Sequence, residues 1–172
     1  MRALRLALAL LLVATLHFVG MLIAPWFFLA IDLFLVVLVF NAMDGDTMAG
    51  MLGGMAAGLV TDALTGGPFG LFGIADTIVG YSTAAAGQRL VIQRASSSLL
   101  VFCLAAAAQQ ALVFGVAFLI LPNPEAPDLR WVLIKVATSG VLGLVLYQAR
   151  ARFLVRMDTW RRNRTSRVRF GR

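Results

Sequence analysis

Charged residues and the side chains of common catalytic chemistry are scarce in this sequence. Only 13% of its 172 residues are Asp, Glu, Lys or Arg, and it has one histidine, His17, and one cysteine, Cys103. A soluble domain carries about a quarter charged residues, so the composition excludes an ordinary soluble fold. One histidine and one cysteine are too few for a zinc site, and a lone cysteine forms no disulfide within the chain. We expect no metal, no cofactor and no disulfide framework.

The sequence also lacks the combination of residues that a catalytic site needs. Nucleophilic hydrolysis uses a serine or cysteine beside a base and an orienting acid, yet His17 lies between Leu16 and Phe18 in an apolar run. A carboxylate pair, Asp62 and Asp76, could in principle exchange protons, but no neighbouring residue suggests a substrate. We predict that the protein is not an enzyme, and we assign no catalytic residue.

Long apolar runs dominate instead. Hydrophobic residues make up 60% of the chain, and its mean hydropathy is +0.89. Because a spanning helix needs about 20 apolar residues, the runs predict an all-α integral membrane protein with a single six-helix transmembrane bundle over residues 1–150. The predicted spans are 4–24, 26–41, 48–64, 70–87, 99–121 and 131–150. The first lacks a small-x-small cleavage pattern, so we expect a retained helix and not a signal peptide.

The positive charge is confined to one end of the chain. The net charge is +7, but residues 150–172 hold nine arginines and one aspartate, which is +8, so the remainder carries −1. Basic residues favour the cytoplasmic side of a membrane, which predicts that both termini are cytoplasmic. Residues 151–172 then form a cytoplasmic, arginine-rich tail next to the membrane.

Two interpretations of this tail stay open. It can be a topology anchor that binds anionic lipids, or a docking site for a cytoplasmic protein; nucleic acid is not expected, because a nucleic-acid binder spreads its arginines over a folded face. The tail arginines assigned to lipid or partner binding are Arg152, Arg156, Arg161, Arg162 and Arg164.

A glycine pattern between residues 50 and 81 predicts a helical hairpin. Gly50, Gly54 and Gly58 recur every four residues and so share one face of a helix, while Gly73 and Gly80 belong to a small-residue stripe on the following run. Small residues let helix backbones approach closely in a membrane. We predict that these five glycines form a helix-packing or partner interface, with each stripe facing the other.

Ionisable residues inside predicted spans are expensive to insert, so they should face the bundle interior or a wet cavity. Two interpretations remain: a polar pocket open to the outside, or a closed network in which the lysine neutralises one carboxylate and helix N-terminal amides or water satisfy the others. Gln109 and Gln110 are expected to bond to a neighbouring helix. The predicted polar pocket consists of His17, Asp32, Asp62, Asp76 and Lys135.

The segment GMAAGLVTDALTGGPFG at residues 54–70, followed eleven residues later by a tyrosine, resembles the rod shape-determining protein MreD family. The resemblance extends to the similar length, about six spans, a charged end and no domain outside the membrane. The residues that carry the motif are Asp62, Gly66, Gly67, Pro68, Gly70 and Tyr81.

This resemblance implies a non-enzymatic subunit of the bacterial cell-elongation machinery in the plasma (inner) membrane. It implies binding to the single-span protein MreC, and a connection between MreB filaments and peptidoglycan synthesis by RodA and its penicillin-binding transpeptidase. It also implies a fold similar to the substrate-binding subunits of vitamin transporters. The alternative function is therefore such a subunit, with an outward-facing polar pocket for a vitamin.

Overall fold

The computed structural model describes residues 2–24, 30–66, 68–89, 95–122 and 128–169, and six helices with defined bounds account for most of them. We number them α1 to α6 in chain order. Their bounds are Arg2–Ile23 (α1), Leu33–Ala42 (α2), Thr47–Thr65 (α3), Leu71–Arg89 (α4), Ala95–Ile120 (α5) and Leu129–Arg169 (α6). No strand occurs within the ranges just given, so the all-helical prediction is confirmed there.

Four of these helices, α1, α3, α5 and α6, are long and apolar enough to cross a membrane. The prediction of a helical membrane protein is therefore confirmed, whereas six full spans are not shown. Helix α4 has 19 residues but contains several polar ones, including Asp76 and Gln88, so it is too polar on average for this set. Helix α2 is apolar but, with ten residues, too short to belong to this set.

The predicted second span, an unbroken helix over residues 26–41, is wrong at its centre. Residues 31 and 32 are not helical, and α2 begins at Leu33 with Asp32 as its N-cap. The Asp32 carboxylate accepts a hydrogen bond from the Leu35 N–H at 3.0 Å. Aspartate is favoured at the N-cap, where its carboxylate accepts from a free backbone amide, and is disfavoured inside a helix. Asp32, predicted to lie within the span, therefore lies at the start of α2 instead.

Although short, α2 is the central helix of the bundle. At ten residues it measures about 15 Å, half of a hydrocarbon core, and six of its residues are buried. It packs against α1, α3, α4, α5 and α6. A helix that is apolar on all faces belongs in an interior, and Leu38 and Val39 accordingly have no exposed surface. The buried residues of α2 are Phe34, Leu35, Val36, Leu38, Val39 and Ala42.

Helices α3 and α4 form the most closely packed pair in the bundle. A Cβ atom added to Gly54 would overlap the carbonyl of Asp76, and one added to Gly58 would overlap the carbonyl of Phe72. At Gly50 the nearest atom would be the carbonyl oxygen of Gly80, at 2.6 Å. The helix backbones therefore touch directly, and no side chain fits between them.

A reversal of direction joins the two arms of this hairpin. Helix α3 ends at Thr65, and its C-cap is Gly66, whose φ of 67° is left-handed and whose N–H donates to the Asp62 carbonyl at 3.3 Å. Gly70 also has a positive φ, 99°. Glycine adopts such angles without the steric cost that a Cβ imposes. These two positions allow α4 to return directly along α3.

Helix α6 packs on α5 and continues well beyond the predicted end of the bundle. The Phe102 ring fills the space that a side chain at residue 143 would need, so Gly143 allows the two helices to approach. From Leu129 to Arg169 the helix has 41 residues without interruption, which corresponds to about 60 Å. Because a hydrocarbon core is about 30 Å thick, this helix is long enough to carry its arginine-rich end outside the membrane.

Candidate functional site

The five ionisable residues expected inside the bundle are all buried. Their exposed fractions are 2% for His17, 4% for Asp32, 2% for Asp62, 0% for Asp76 and 6% for Lys135. Asp76 interacts electrostatically with Asp32, Asp62 and Lys135, and His17 interacts with Asp32 and Lys135. The structure thus brings the five side chains into one electrostatically linked group, closed off from the surface.

Asp32 and Lys135 form the ion pair of this group. The Lys135 Nζ lies 3.3 Å from Asp32 Oδ2, while the other carboxylate oxygen, Oδ1, caps α2. The same ammonium lies 5.6 Å from the centroid of the Phe72 ring on α4, a distance compatible with a cation–π contact. One carboxylate therefore connects the start of α2 to α6, and Lys135 extends the connection to α4.

A second contact ties this junction together. The Thr138 hydroxyl, one turn after Lys135, donates to the carbonyl of Ala30 at 2.5 Å. Because residues 31 and 32 are not helical, the Ala30 carbonyl has no acceptor role within α2 and can accept this bond. Helix α6 thus holds the segment before α2 through both its lysine and its threonine.

Asp76 links α4 to α5 through an amide. Gln109 Nε2 donates to Asp76 Oδ1 at 2.8 Å, and Gln110 Nε2 donates to Gln109 Oε1 at 3.3 Å. Gln109 is 1% exposed and Gln110 is 7% exposed. Gln109 makes the contact with a neighbouring helix that was expected of these glutamines. Because Asp76 and Gln109 are both buried, this bond is costly to break: both partners would be left unsatisfied.

Asp62 serves the hairpin turn. Its Oδ2 accepts hydrogen bonds from the N–H groups of Gly70 at 2.9 Å and Gly73 at 3.1 Å, and its Oδ1 accepts from Phe72 N–H at 2.9 Å. Three free amides at the start of α4 are satisfied by a carboxylate on α3, and the negative charge lies at the positive end of the α4 dipole. Asp62 therefore acts as an N-cap supplied from another helix.

His17 joins α1 to the central helix through its ring. The imidazole centroid lies 5.5 Å from that of Phe34 on α2, and the two planes meet at 54°. This is a usual arrangement for aromatic pairs. Among the described residues, His, Cys, Asp and Glu form no group of three that could hold a metal ion. The described contacts of the five residues thus join helices to one another.

Comparison with known proteins gives the family. The sequence model described as rod shape-determining protein MreD matches residues 1–147. The chain belongs to the MreD family. It is therefore a rod shape-determining membrane protein, as the resemblance of residues 54–70 implied. No curated protein and no solved structure matches the chain, so the implied similarity to vitamin-transporter subunits is not shown.

The residues that resemble the MreD motif surround the hairpin turn. Asp62 caps α4, Gly66 and Gly70 take the two left-handed positions, and Pro68 lies between them in the turn. Gly67 lies outside the described residues. Tyr81, on α4, is 52% exposed and so lies at the surface of the bundle, away from the turn. The motif thus encodes a tight reversal with its own carboxylate cap, while a role for Tyr81 stays a prediction.

The arginine tail is described only in part. Arg152 and Arg156 are exposed on α6, as is Phe153 between them. Arg161, Arg162 and Arg164 belong to the same helix, but their side chains lie outside the described part of the structure. Arg150 is better defined, because its Nη2 lies 3.1 Å from Asp44 Oδ1, and its guanidinium carbon lies 5.1 Å from the Phe40 ring centroid. Binding of lipid or protein by the tail stays a prediction.

Replacing Asp62 with alanine should destabilise the hairpin. The substitution leaves three amides at the start of α4 without an acceptor, and we expect a loss of about 2–4 kcal/mol in the free energy of unfolding. Thermal unfolding of the protein in detergent measures this loss. The matched control is Asp46→Ala. It removes an exposed N-cap of α3, which accepts a hydrogen bond from the Ala49 N–H at 3.1 Å, and should cost about 1 kcal/mol. Equal effects of the two substitutions would contradict the assignment.

Proposed function

We propose that this MreD-family chain is a non-enzymatic subunit of the bacterial cell-elongation machinery. It binds MreC in the plasma membrane and helps connect MreB filaments to peptidoglycan synthesis by RodA and its penicillin-binding transpeptidase. The observation that carries this proposal is the family match over residues 1–147, which includes α1 to α5 and the apolar part of α6.

The interior of the bundle supports a scaffold role. Asp32 and Lys135 connect α2 with α6, Asp76 and Gln109 connect α4 with α5, and Asp62 connects α3 with α4. These residues are at most 6% exposed, so a ligand in water would reach them only after helices separate. Paired polar groups in such an interior fix the arrangement of the helices, which suits a protein that presents a defined surface to its partners.

Contacts at one end of the bundle support a cytoplasmic position for the tail. The ion pair of Asp44 with Arg150 brings the connection between α2 and α3 next to the start of the arginine-rich part of α6. The N-terminal end of α1 lies at the same end, because Leu6 and Asp44 line one cavity. The start of α1 and Arg150 therefore lie at the same end of the bundle, and basic residues favour the cytoplasmic side. This arrangement agrees with both termini being cytoplasmic, where the tail can meet anionic lipid or MreB.

Co-purification tests the proposed function. The tagged full-length chain is expressed with untagged MreC of the same bacterium, solubilised in a mild detergent and purified through the tag. We expect MreC in near-stoichiometric amount, and an unrelated single-span membrane protein at a similar expression level serves as the control. Purification without MreC, together with a vitamin retained in equimolar amount, would instead favour the transporter subunit.

A further inference from the structure

A groove opens between α1 and α3 on the surface of the bundle. It has a volume of about 460 Å³ and is lined mainly by apolar side chains, with Leu6 and Leu10 on α1 and Leu52 on α3. From the diameter and pitch of an α-helix, this volume corresponds to about one helical turn. The groove is therefore large enough for a turn of another helix with its side chains, but not for a folded domain.

Small residues and loose packing explain why the groove is open. Ala49, Gly53 and Ala56 lie along α3 at spacings of four and three, and all three line the groove together with Ala7 of α1. Helix α1 packs only on α2 and α3 among the helices described. Small residues that line a membrane groove let a second backbone come close. The floor of the groove is thus suited to a helix.

The groove has an acidic rim at one end. Asp44 and Asp46 line it there, together with Asn41. Asp44 already holds the guanidinium of Arg150 at 3.1 Å, and their side chains are 44% and 43% exposed. An exposed ion pair of this kind is worth little and exchanges its partners easily. The rim is therefore a place where an incoming basic side chain finds a carboxylate at the level of the membrane surface.

We propose that this groove receives the transmembrane helix of a single-span partner whose basic residues lie level with Asp44 and Asp46. Membrane helices carry Lys and Arg at their cytoplasmic ends, so the apolar part of such a helix fits the groove when its basic end meets the rim. The two carboxylates repel the phosphate of an anionic lipid, which makes a lipid the poorer occupant. This inference rests on the proposed function, in which the single-span partner is MreC.

Disulfide cross-linking locates the partner helix. In a Cys103→Ser background, Ala49→Cys places a thiol in the groove, and Ala107→Cys places one on the exposed face of α5, outside it. Each variant is expressed with MreC that carries single cysteines at successive positions of its span, and the membranes are oxidised. We expect cross-links from Ala49→Cys to MreC positions repeating every three to four residues, and about tenfold weaker ones from Ala107→Cys.

Filling the groove provides a second readout in the same co-purification. Ala49→Phe and Ala56→Phe occupy it, and we expect each to lower the recovered MreC about tenfold, whereas Ala107→Phe should leave it unchanged. Asp44→Lys reverses one charge of the rim and should lower the recovery about two- to fivefold. If MreC co-purifies with every variant and cross-links equally to both cysteines, the groove assignment is overturned while the proposed function stands. If MreC co-purifies with none, including the unmodified chain, both are overturned.

Discussion

Gly54→Leu and Gly58→Leu are expected to prevent stable folding of the bundle. At these positions a Cβ atom would overlap the carbonyls of Asp76 and Phe72, which are backbone atoms of α4 and cannot rotate away. The helices must separate to admit the side chain, and we expect a loss of about 4 kcal/mol or more in the free energy of unfolding. The yield of monodisperse protein in detergent and its thermal midpoint measure the effect.

Gly115→Leu is the matched control for this experiment. Gly115 is also a helical glycine, on α5, but a Cβ added there meets nothing within 4 Å among the described atoms. Leucine has the better helix propensity, so this variant should be as stable as the unmodified chain or more so. Normal yield and an unchanged midpoint in both Gly54→Leu and Gly58→Leu would show that α3 and α4 do not pack backbone to backbone.

Lys135→Met should be the most damaging change of a polar residue in the interior. It leaves the buried Asp32 carboxylate without its cation, whereas the methionine fills nearly the same space. Removing one partner of a buried ion pair costs about 3–5 kcal/mol, because the remaining charge is uncompensated. The comparison variant is Arg150→Met, which breaks the other described ion pair, between Arg150 and Asp44. Both side chains of that pair are about two-fifths exposed, so its loss should cost at most about 1 kcal/mol.

The double variant Lys135→Met, Asp32→Asn distinguishes the effect of the unpaired charge from the effect of changed side-chain packing at residue 135. Asparagine keeps an acceptor oxygen for the Leu35 N–H and remains a good N-cap, but it carries no charge. We expect the double variant to recover most of the stability that Lys135→Met loses, as measured by thermal unfolding in the same detergent. A double variant no more stable than the single one, or a Lys135→Met as mild as Arg150→Met, would contradict the described role of the ion pair.

The packing of α3 on α4 also positions Asp76, which lies on α4. The backbone contact between Gly54 and the Asp76 carbonyl fixes the height of α4 against α3. That height places the Asp76 carboxylate where Gln109 donates to it at 2.8 Å. Close packing of α3 on α4 thus supports the polar contacts farther inside the bundle, and a substitution at Gly54 should disturb both.

The glycine stripes illustrate how far sequence reasoning reaches. A recurrence every four residues indicates a side-chain-free face from helix geometry alone, and Gly50, Gly54 and Gly58 do lie against α4. Whether these glycines also form a partner interface stays a prediction. The groove between α1 and α3 could not be predicted from the sequence, because it depends on the position of α1 in the folded bundle. That position decides which side of α3 lines the groove, namely the side with Ala49, Gly53 and Ala56.

The aspartates illustrate where that reasoning stops. In the sequence, Asp32 and Asp62 look alike, because each is a charged residue within an apolar run. In the structure, both carboxylates cap the start of a helix. Asp32 caps its own helix, a local pattern that an aspartate ahead of an apolar run could have indicated. Asp62 caps α4 with amides eight to eleven residues away, and no usual capping spacing predicts that, because the bonds exist only once the hairpin has closed.

The amino-acid sequence by itself determined that this is a helical membrane protein of the MreD family, with its basic residues gathered at one end. Those properties depend on composition and on patterns within a short stretch of chain, which persist whatever the helices pack against. The tertiary structure alone decided that Lys135 pairs with Asp32, that Asp76 is held by Gln109, and that Asp62 caps α4. These contacts join residues far apart in the chain, and a buried charge selects its partner by geometry that only the packed bundle supplies.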